Sequence, residues 1–236
     1  TPYNHRRQRQ LCIRDRIYSI MLTLYLSITR VARRDGDEMG DPIRDIFHIL
    51  TYKQRFKMLE HELARDALSG LFNRRFFDEN LQRELERAKR LQHNLNLVFV
   101  DIDHFKSIND SYGHQVGDDA IVALADSMQS AFREADILCR YGGEEFAVIM
   151  PDSSVRAAFE ATQRLQREYQ RTCEERNLPL ETEITFTAGI ANYPDDGSDP
   201  ADLIRQADRR LYKGKDSGRN QVMMDTVIMR KIQPGR

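Results

Sequence analysis

Apolar and polar positions recur along this chain with two different periods, and the changes of period mark its elements. Ile13, Ile17, Ile20, Leu24, Ile28 and Val31 recur at spacings of three and four, as on one face of a helix. The stretch Arg33 to Pro42, with its two glycines, four acids and proline, ends that helix, and Pro42 opens another. In the second helix Ile49, Tyr52, Phe56, Leu59 and Leu63 alternate spacings of three and four, a coiled-coil seam that runs directly into Asp66. A helical hairpin or stalk is therefore expected over residues 1–64. Beyond it the pattern predicts helix 75–92, strand 96–101, helix 118–132, a hairpin with halves 137–141 and 146–150, helix 154–176, strand 184–191 and helix 200–214. That succession implies an α/β sandwich with helices packed on a largely antiparallel sheet over residues 65–225, followed by a tail at 226–236.

Composition narrows the setting. Lys plus Arg number 36 against 37 Asp plus Glu, and 40% of residues are hydrophobic, so no basic footprint for a nucleic-acid polymer stands out. Cys12, Cys139 and Cys173 are widely spaced and form no CxxC pair, which fits a reduced, cytoplasmic setting. Residues 17–29 are uncharged and mostly apolar, yet too short for a membrane span of about 20 residues, and Arg14, Arg16 and Arg30 flank them. No signal peptide is visible; because the chain opens at Thr1, native residues before it are expected.

The chemistry concentrates at two strand ends. Val98-Phe99-Val100-Asp101-Ile102-Asp103 is an apolar strand ending in acids. Tyr141-Gly142-Gly143-Glu144-Glu145-Phe146 is a tight turn that presents two carboxylates. Brought together, these ends suit a hard cation such as Mg2+ and a metal-dependent phosphoryl transfer.

Around these residues lie Asp66-Ala67-Leu68-Ser69-Gly70-Leu71-Phe72-Asn73-Arg74-Arg75, Asp101-Ile102-Asp103-His104-Phe105-Lys106-Ser107-Ile108-Asn109-Asp110, Tyr112-Gly113-His114-Gln115-Val116-Gly117-Asp118 and Lys215-Asp216-Ser217-Gly218-Arg219-Asn220. In order and spacing these blocks resemble the GGDEF family of diguanylate cyclases, from about Asp66 to Gln221. The resemblance implies a palm-like, ferredoxin-related fold and the condensation of two GTP into cyclic di-GMP by a homodimer. It implies Mg2+, with Mn2+ as the alternative, held by the Asp101 carboxylate, the Ile102 carbonyl, Glu144 and Glu145. Glu144 is also the family's candidate base for the 3'-hydroxyl, although a metal-bound carboxylate is a poor base. Lys106 is implied in transition-state stabilisation. Lys215 and Arg219 are implied in gripping the terminal phosphates, and Asn109 and Asp118 in reading the guanine edge. Leu68, Phe105 and His114 would shape the nucleotide pocket. Ser69 stands where the family often has Thr, and Glu144 where it has the Asp that names it.

Arg133-Glu134-Ala135-Asp136, separated from Gly142 by the five residues Ile137 to Tyr141, has the placement of the family's inhibitory Arg-x-x-Asp product site, with Arg164 and Arg87 as auxiliary arginines; read from spacing alone, Arg133 and Asp136 are an i,i+3 ion pair. The seam of the stalk serves a dimer, and the further apolar surface of the first helix suggests a docking face for a regulatory protein. The alternative function is a catalytically weak receptor module that binds GTP or cyclic di-GMP and signals through the stalk.

Overall fold

A computed structural model describes residues 64–178 and 184–225, so the helical stalk and the tail expected at 226–236 lie outside the described residues. The order is α1 (Arg74–Leu91), β1 (Leu95–Ile102), α2 (Phe105–Tyr112), α3 (His114–Ala131), β2 (Ile137–Arg140), β3 (Glu145–Pro151), α4 (Val155–Glu175), β4 (Phe186–Tyr193), α5 (Pro200–Asp216) and β5 (Val222–Met223). The sheet runs β2-β3-β1-β4-β5. Its pairs are antiparallel except β4 with β5. The first four strands form the split βαβ arrangement of ferredoxin-like folds, the palm-like architecture that the family resemblance implies.

β1 occupies the centre because it can be buried on both faces, and every one of its residues is. Leu95, Leu97 and Phe99 face α1 and α5, where Phe77, Leu81, Leu85, Leu203, Ala207 and Leu211 complete one core. Val98, Val100 and Ile102 face α3 and α4, and Ile121, Leu124, Met128, Leu165 and Tyr169 complete the other. Each large side chain buried in these layers contributes about 1.5–3 kcal/mol. The helices start where the sequence offers caps: Asn73 accepts from the Phe76 N–H, Ser154 from Ala157, and Asp199 from Asp202 ahead of Pro200. α5 lies directly on the β4 backbone, since a Cβ on Gly189 would stand 2.1 Å from the Ala207 carbonyl oxygen. That close approach carries the last turn of α5 to the carboxyl end of β1.

The structure adds α2 and the short β5, which the apolar pattern did not predict, and it starts α3 at His114 rather than at residue 118. Among the described residues no helix is long and apolar enough to cross a membrane.

Candidate active site

The antiparallel register sets Asp101 of β1 opposite Glu145 of β3 on one side and Thr187 of β4 on the other. The Ile102 N–H donates to the Glu144 carbonyl at 3.3 Å, so both glutamates follow from the hairpin turn onto the end of β1. Lys215, in the last turn of α5, places its Nζ 2.7 Å from Asp101 Oδ2. Burial pushes the Asp101 carboxyl up to about 6; the Lys215 hydrogen bond and charge oppose that shift, and the charges of Glu144 and Glu145 add to it. A buried carboxylate that feels two other carboxylates beside it has the chemistry of a hard-cation donor. In the conformation described, no three His, Cys, Asp or Glu side chains among the described residues converge closely enough to hold a metal. The ammonium of Lys215 is the cation that Asp101 meets.

The turn carrying the glutamates is braced by Arg140. Its Nε and Nη2 donate to the Gly143 carbonyl at 3.1 and 2.7 Å, and Nε also reaches the Gly142 carbonyl at 3.2 Å. Its Nη1 donates to Asp66 Oδ1 at 3.0 Å, and that same oxygen accepts from the N–H and hydroxyl of Ser69 at 2.8 Å each. Burial acts to raise the Asp66 carboxyl, but the Ser69 and Arg140 hydrogen bonds and the Arg140 charge outweigh it and hold the group below its ordinary 3.8. The entry loop that carries Leu68 and the two-glycine turn are thus tied together by one guanidinium.

A second group gathers where α2 meets α3. A Cβ on Gly117 would stand 2.0 Å from Asn109 Oδ1 and 3.2 Å from the Phe105 ring, so the absence of a side chain lets α3 pack against both. Asn109 Oδ1 is buried against Gly117 and has no hydrogen-bond partner in the structure, a polar atom whose lack of a partner calls for an explanation. Asp118 follows Gly117 on α3 and is half-buried, while His114 is the exposed first residue of that helix. Lys106 is exposed in the first turn of α2, and Leu68 packs against the α3–α4 core. Arg219 is exposed just past α5. All of these positions belong to the end of the sheet where β1 finishes.

The arginines expected at a product site lie at the other end. Arg133 Nη2 donates to Asp136 Oδ1 at 3.1 Å, and Asp136 Oδ2 accepts the Arg133 backbone N–H at 2.9 Å. The Asp136 side chain is fully buried, which makes the pair more than a solvated surface contact. Arg87 and Arg133 line a cavity of about 300 Å³ together with Leu91, His93, Ile137 and Asp152. Arg164 does not line it and instead donates from Nε to the Ala131 carbonyl at 3.0 Å, two residues before Arg133. The sequence reading missed Arg140, Gly117 and His93; Gly117 alone carried a signal, as the one small residue between a histidine and an acid at a helix start.

The sheet order and the acids at its central strand ends define a palm of the nucleotide-cyclase type. The family described as "Diguanylate cyclase, GGDEF domain" matches residues 63–221, and this chain belongs to it. It is 37% identical over 182 residues to "Probable diguanylate cyclase DgcC" of Escherichia coli strain K12, a match that takes in 75% of this chain and 48% of that protein. The chain spans about half the length of the curated relatives it matches. Among solved structures, the coiled coil and GGDEF domain of DgcB from Caulobacter crescentus in complex with c-di-GMP superposes with a TM-score of 0.67 at 26% identity, covering 80% of this chain and 100% of that one. Diguanylate cyclase SiaD of Pseudomonas aeruginosa, in complex with its activator SiaC, superposes with a TM-score of 0.61 at 26% identity, covering 94% of this chain and 88% of that one.

Proposed function

We propose that this chain condenses two molecules of GTP into cyclic di-GMP with release of two pyrophosphates. The observation that carries the reading is the placement of Asp101, Glu144 and Glu145 at adjoining ends of β1 and β3, where Asp101 feels both glutamate charges and meets Lys215, although the three side chains do not converge on one point in the conformation described. The Asp101 carboxylate, the Ile102 carbonyl, Glu144 and Glu145 would hold Mg2+, with Mn2+ as the alternative. Such an ion supplies neutralisation of triphosphate charge and activation of the 3'-hydroxyl. Each 3'-oxygen forms a bond to the α-phosphorus of the other nucleotide, the bond to pyrophosphate breaks, and the hydroxyl proton passes to a base for which Glu144 is the candidate.

The other side chains bind and orient. Asn109 and Asp118 meet the guanine edge, with Leu68, Phe105 and His114 shaping the pocket around the base. Lys215 and Arg219 hold the terminal phosphates, and Lys106 balances charge developing in the transition state. One domain accommodates one GTP and the product needs two, so a homodimer is part of the reaction, and the seam of Ile49, Tyr52, Phe56, Leu59 and Leu63 is the means of forming it. The cavity with Arg87 and Arg133 is read as a product site, with Arg164 behind it. A regulatory protein on the stalk is a further proposal, supported by the likeness to SiaD, whose structure includes an activator.

Incubating the purified chain with GTP and Mg2+, with chromatography of the products, tests the reading. Cyclic di-GMP and pyrophosphate in a ratio of one to two are expected. Tight GTP or cyclic di-GMP binding without product would establish the receptor module instead.

A further inference from the structure

Asp103 is an acid that the proposed chemistry leaves unused. It lies two residues past Asp101, is only 4% exposed, and accepts three hydrogen bonds through its carboxylate. Thr185 Oγ1 donates to Oδ2 at 2.7 Å, Thr187 Oγ1 donates to Oδ1 at 2.7 Å, and the Asn220 backbone N–H donates to Oδ2 at 3.0 Å. The Asp103 N–H donates to the Thr185 carbonyl at 2.9 Å, which fixes the residue against the start of β4. These partners lie 82, 84 and 117 residues away in sequence, and the most distant of them belongs to the turn after α5.

That turn has an unusual backbone. Gly218, Arg219 and Asn220 have φ values of 111, 64 and 47°, a run of positive angles that includes two residues with side chains. Such a run persists only where its surroundings determine it. At one end the Arg219 N–H is held by the Gly214 carbonyl at 3.0 Å, and at the other the Asn220 N–H is held by Asp103. Asp101 anchors Lys215 just before the turn, and Asp103 anchors Asn220 just after it. Arg219 lies between these two anchors.

We propose that Asp103 is a positioning residue for phosphate binding, setting the turn that aims Lys215 and Arg219 at the terminal phosphates of the nucleotide. The inference rests on the reading of this end of the sheet as a GTP site. Asp103 touches no phosphate itself; it acts through the Asn220 N–H, while Thr185 and Thr187 hold its carboxylate toward the turn.

The test compares binding of the α,β-methylene analogue of GTP, which cannot release pyrophosphate, with binding of GMP, using calorimetry on the full chain. GMP lacks the phosphates that the turn would hold. In Asp103→Ala the affinity for the analogue falls by about tenfold while that for GMP changes little, the loss expected when a charged hydrogen-bond partner is withdrawn. Asp103→Asn keeps an acceptor for the Asn220 N–H, and the Thr187 hydroxyl can rotate to accept from the new amide, so the preference for the analogue returns. In a Lys215→Ala, Arg219→Ala background Asp103→Ala has no further effect on the ratio, because the groups it aims are gone. Should Asp103→Ala not fold, Asp103→Ser, whose shorter side chain withdraws from Asn220, carries the same comparison. Folded Asp103→Ala or Asp103→Ser protein with the wild-type ratio of the two affinities overturns the inference and leaves the GTP site intact. A wild-type chain that fails to prefer the analogue over GMP overturns the phosphate-site reading, and the inference with it.

Discussion

Gly117→Ala tests whether the corner between α2 and α3 holds the nucleotide base. The added Cβ would stand 2.0 Å from Asn109 Oδ1, 3.0 Å from its Cγ and 3.2 Å from the Phe105 ring. Ordinary contact distances are about 3.5–4.0 Å between carbons, so the amide has to retreat by more than about 1 Å. The helix itself tolerates the change: alanine in place of glycine recovers about 0.8–1 kcal/mol of helix propensity, against about 1–3 kcal/mol for overpacking. With total stabilities of about 5–15 kcal/mol typical of domains, the variant stays folded.

Substrate binding bears the larger effect. Asn109 Oδ1 has no partner within the protein, so swinging it away leaves no internal hydrogen bond broken and removes an acceptor from the base. A hydrogen bond of about 1–1.5 kcal/mol corresponds to about a tenfold rise in KM for GTP. Initial rates of cyclic di-GMP formation over a range of GTP concentrations measure it, alongside thermal unfolding. Asn109→Ala should raise KM similarly, and the double variant should be no worse than either single one, because both changes act on one amide. An unchanged KM in folded Gly117→Ala protein would show that Asn109 does not meet the substrate.

Glu144→Ala should abolish synthesis with a thermal midpoint near that of the parent, since Glu144 is half-buried at a turn and outside both cores; residual synthesis at the parental rate would remove it from the mechanism. Arg133→Ala should relieve inhibition by added cyclic di-GMP without lowering the initial rate, and an unchanged inhibition curve would reduce the pair with Asp136 to a structural contact. Asp66 has a carboxyl held below its ordinary value, so it adds stability that is present above that value and lost as pH falls through its lower folded one. Asp66→Asn should therefore flatten the acid limb of thermal stability below about pH 4, and parallel limbs for variant and parent would refute that account.

Much of the fold was legible because its elements follow a single period for many residues. α1, α4 and α5 fall within two residues of the spans read from the apolar pattern, as do β1 and the two hairpin strands. α2 escaped because it has eight residues with only Ile108 buried and begins behind His104 in a left-handed conformation. The first turn of α3 escaped because the chain there reads as polar and glycine-containing. At the site, the acids stood out because Asp101 lies at the end of one apolar strand and Glu144 and Glu145 at the start of another, and the motif blocks named their neighbours. Arg140 and Asp103 did not stand out as positioning groups. Their significance lies in partners such as Asp66, Thr187 and Asn220, and only the folded sheet brings these within reach.

The antiparallel sheet also gives the proposed regulation its form. Asp101 pairs with Glu145 at one end of β1, and Leu95 pairs with Pro151 at the other, beside the cavity lined by Arg87 and Arg133. With a rise of about 3.4 Å per residue, the strand between them spans about 20 Å. A ligand of the cavity therefore lies away from the proposed GTP site of the same domain, and Asn109 and Lys215 are not among the residues that line the cavity. What it can alter is the encounter of two domains, which the condensation requires and which binding of a single GTP does not. Inhibition acting this way lowers kcat while leaving KM for GTP nearly constant. A competitive pattern would instead place the inhibitor at the acidic end of the sheet.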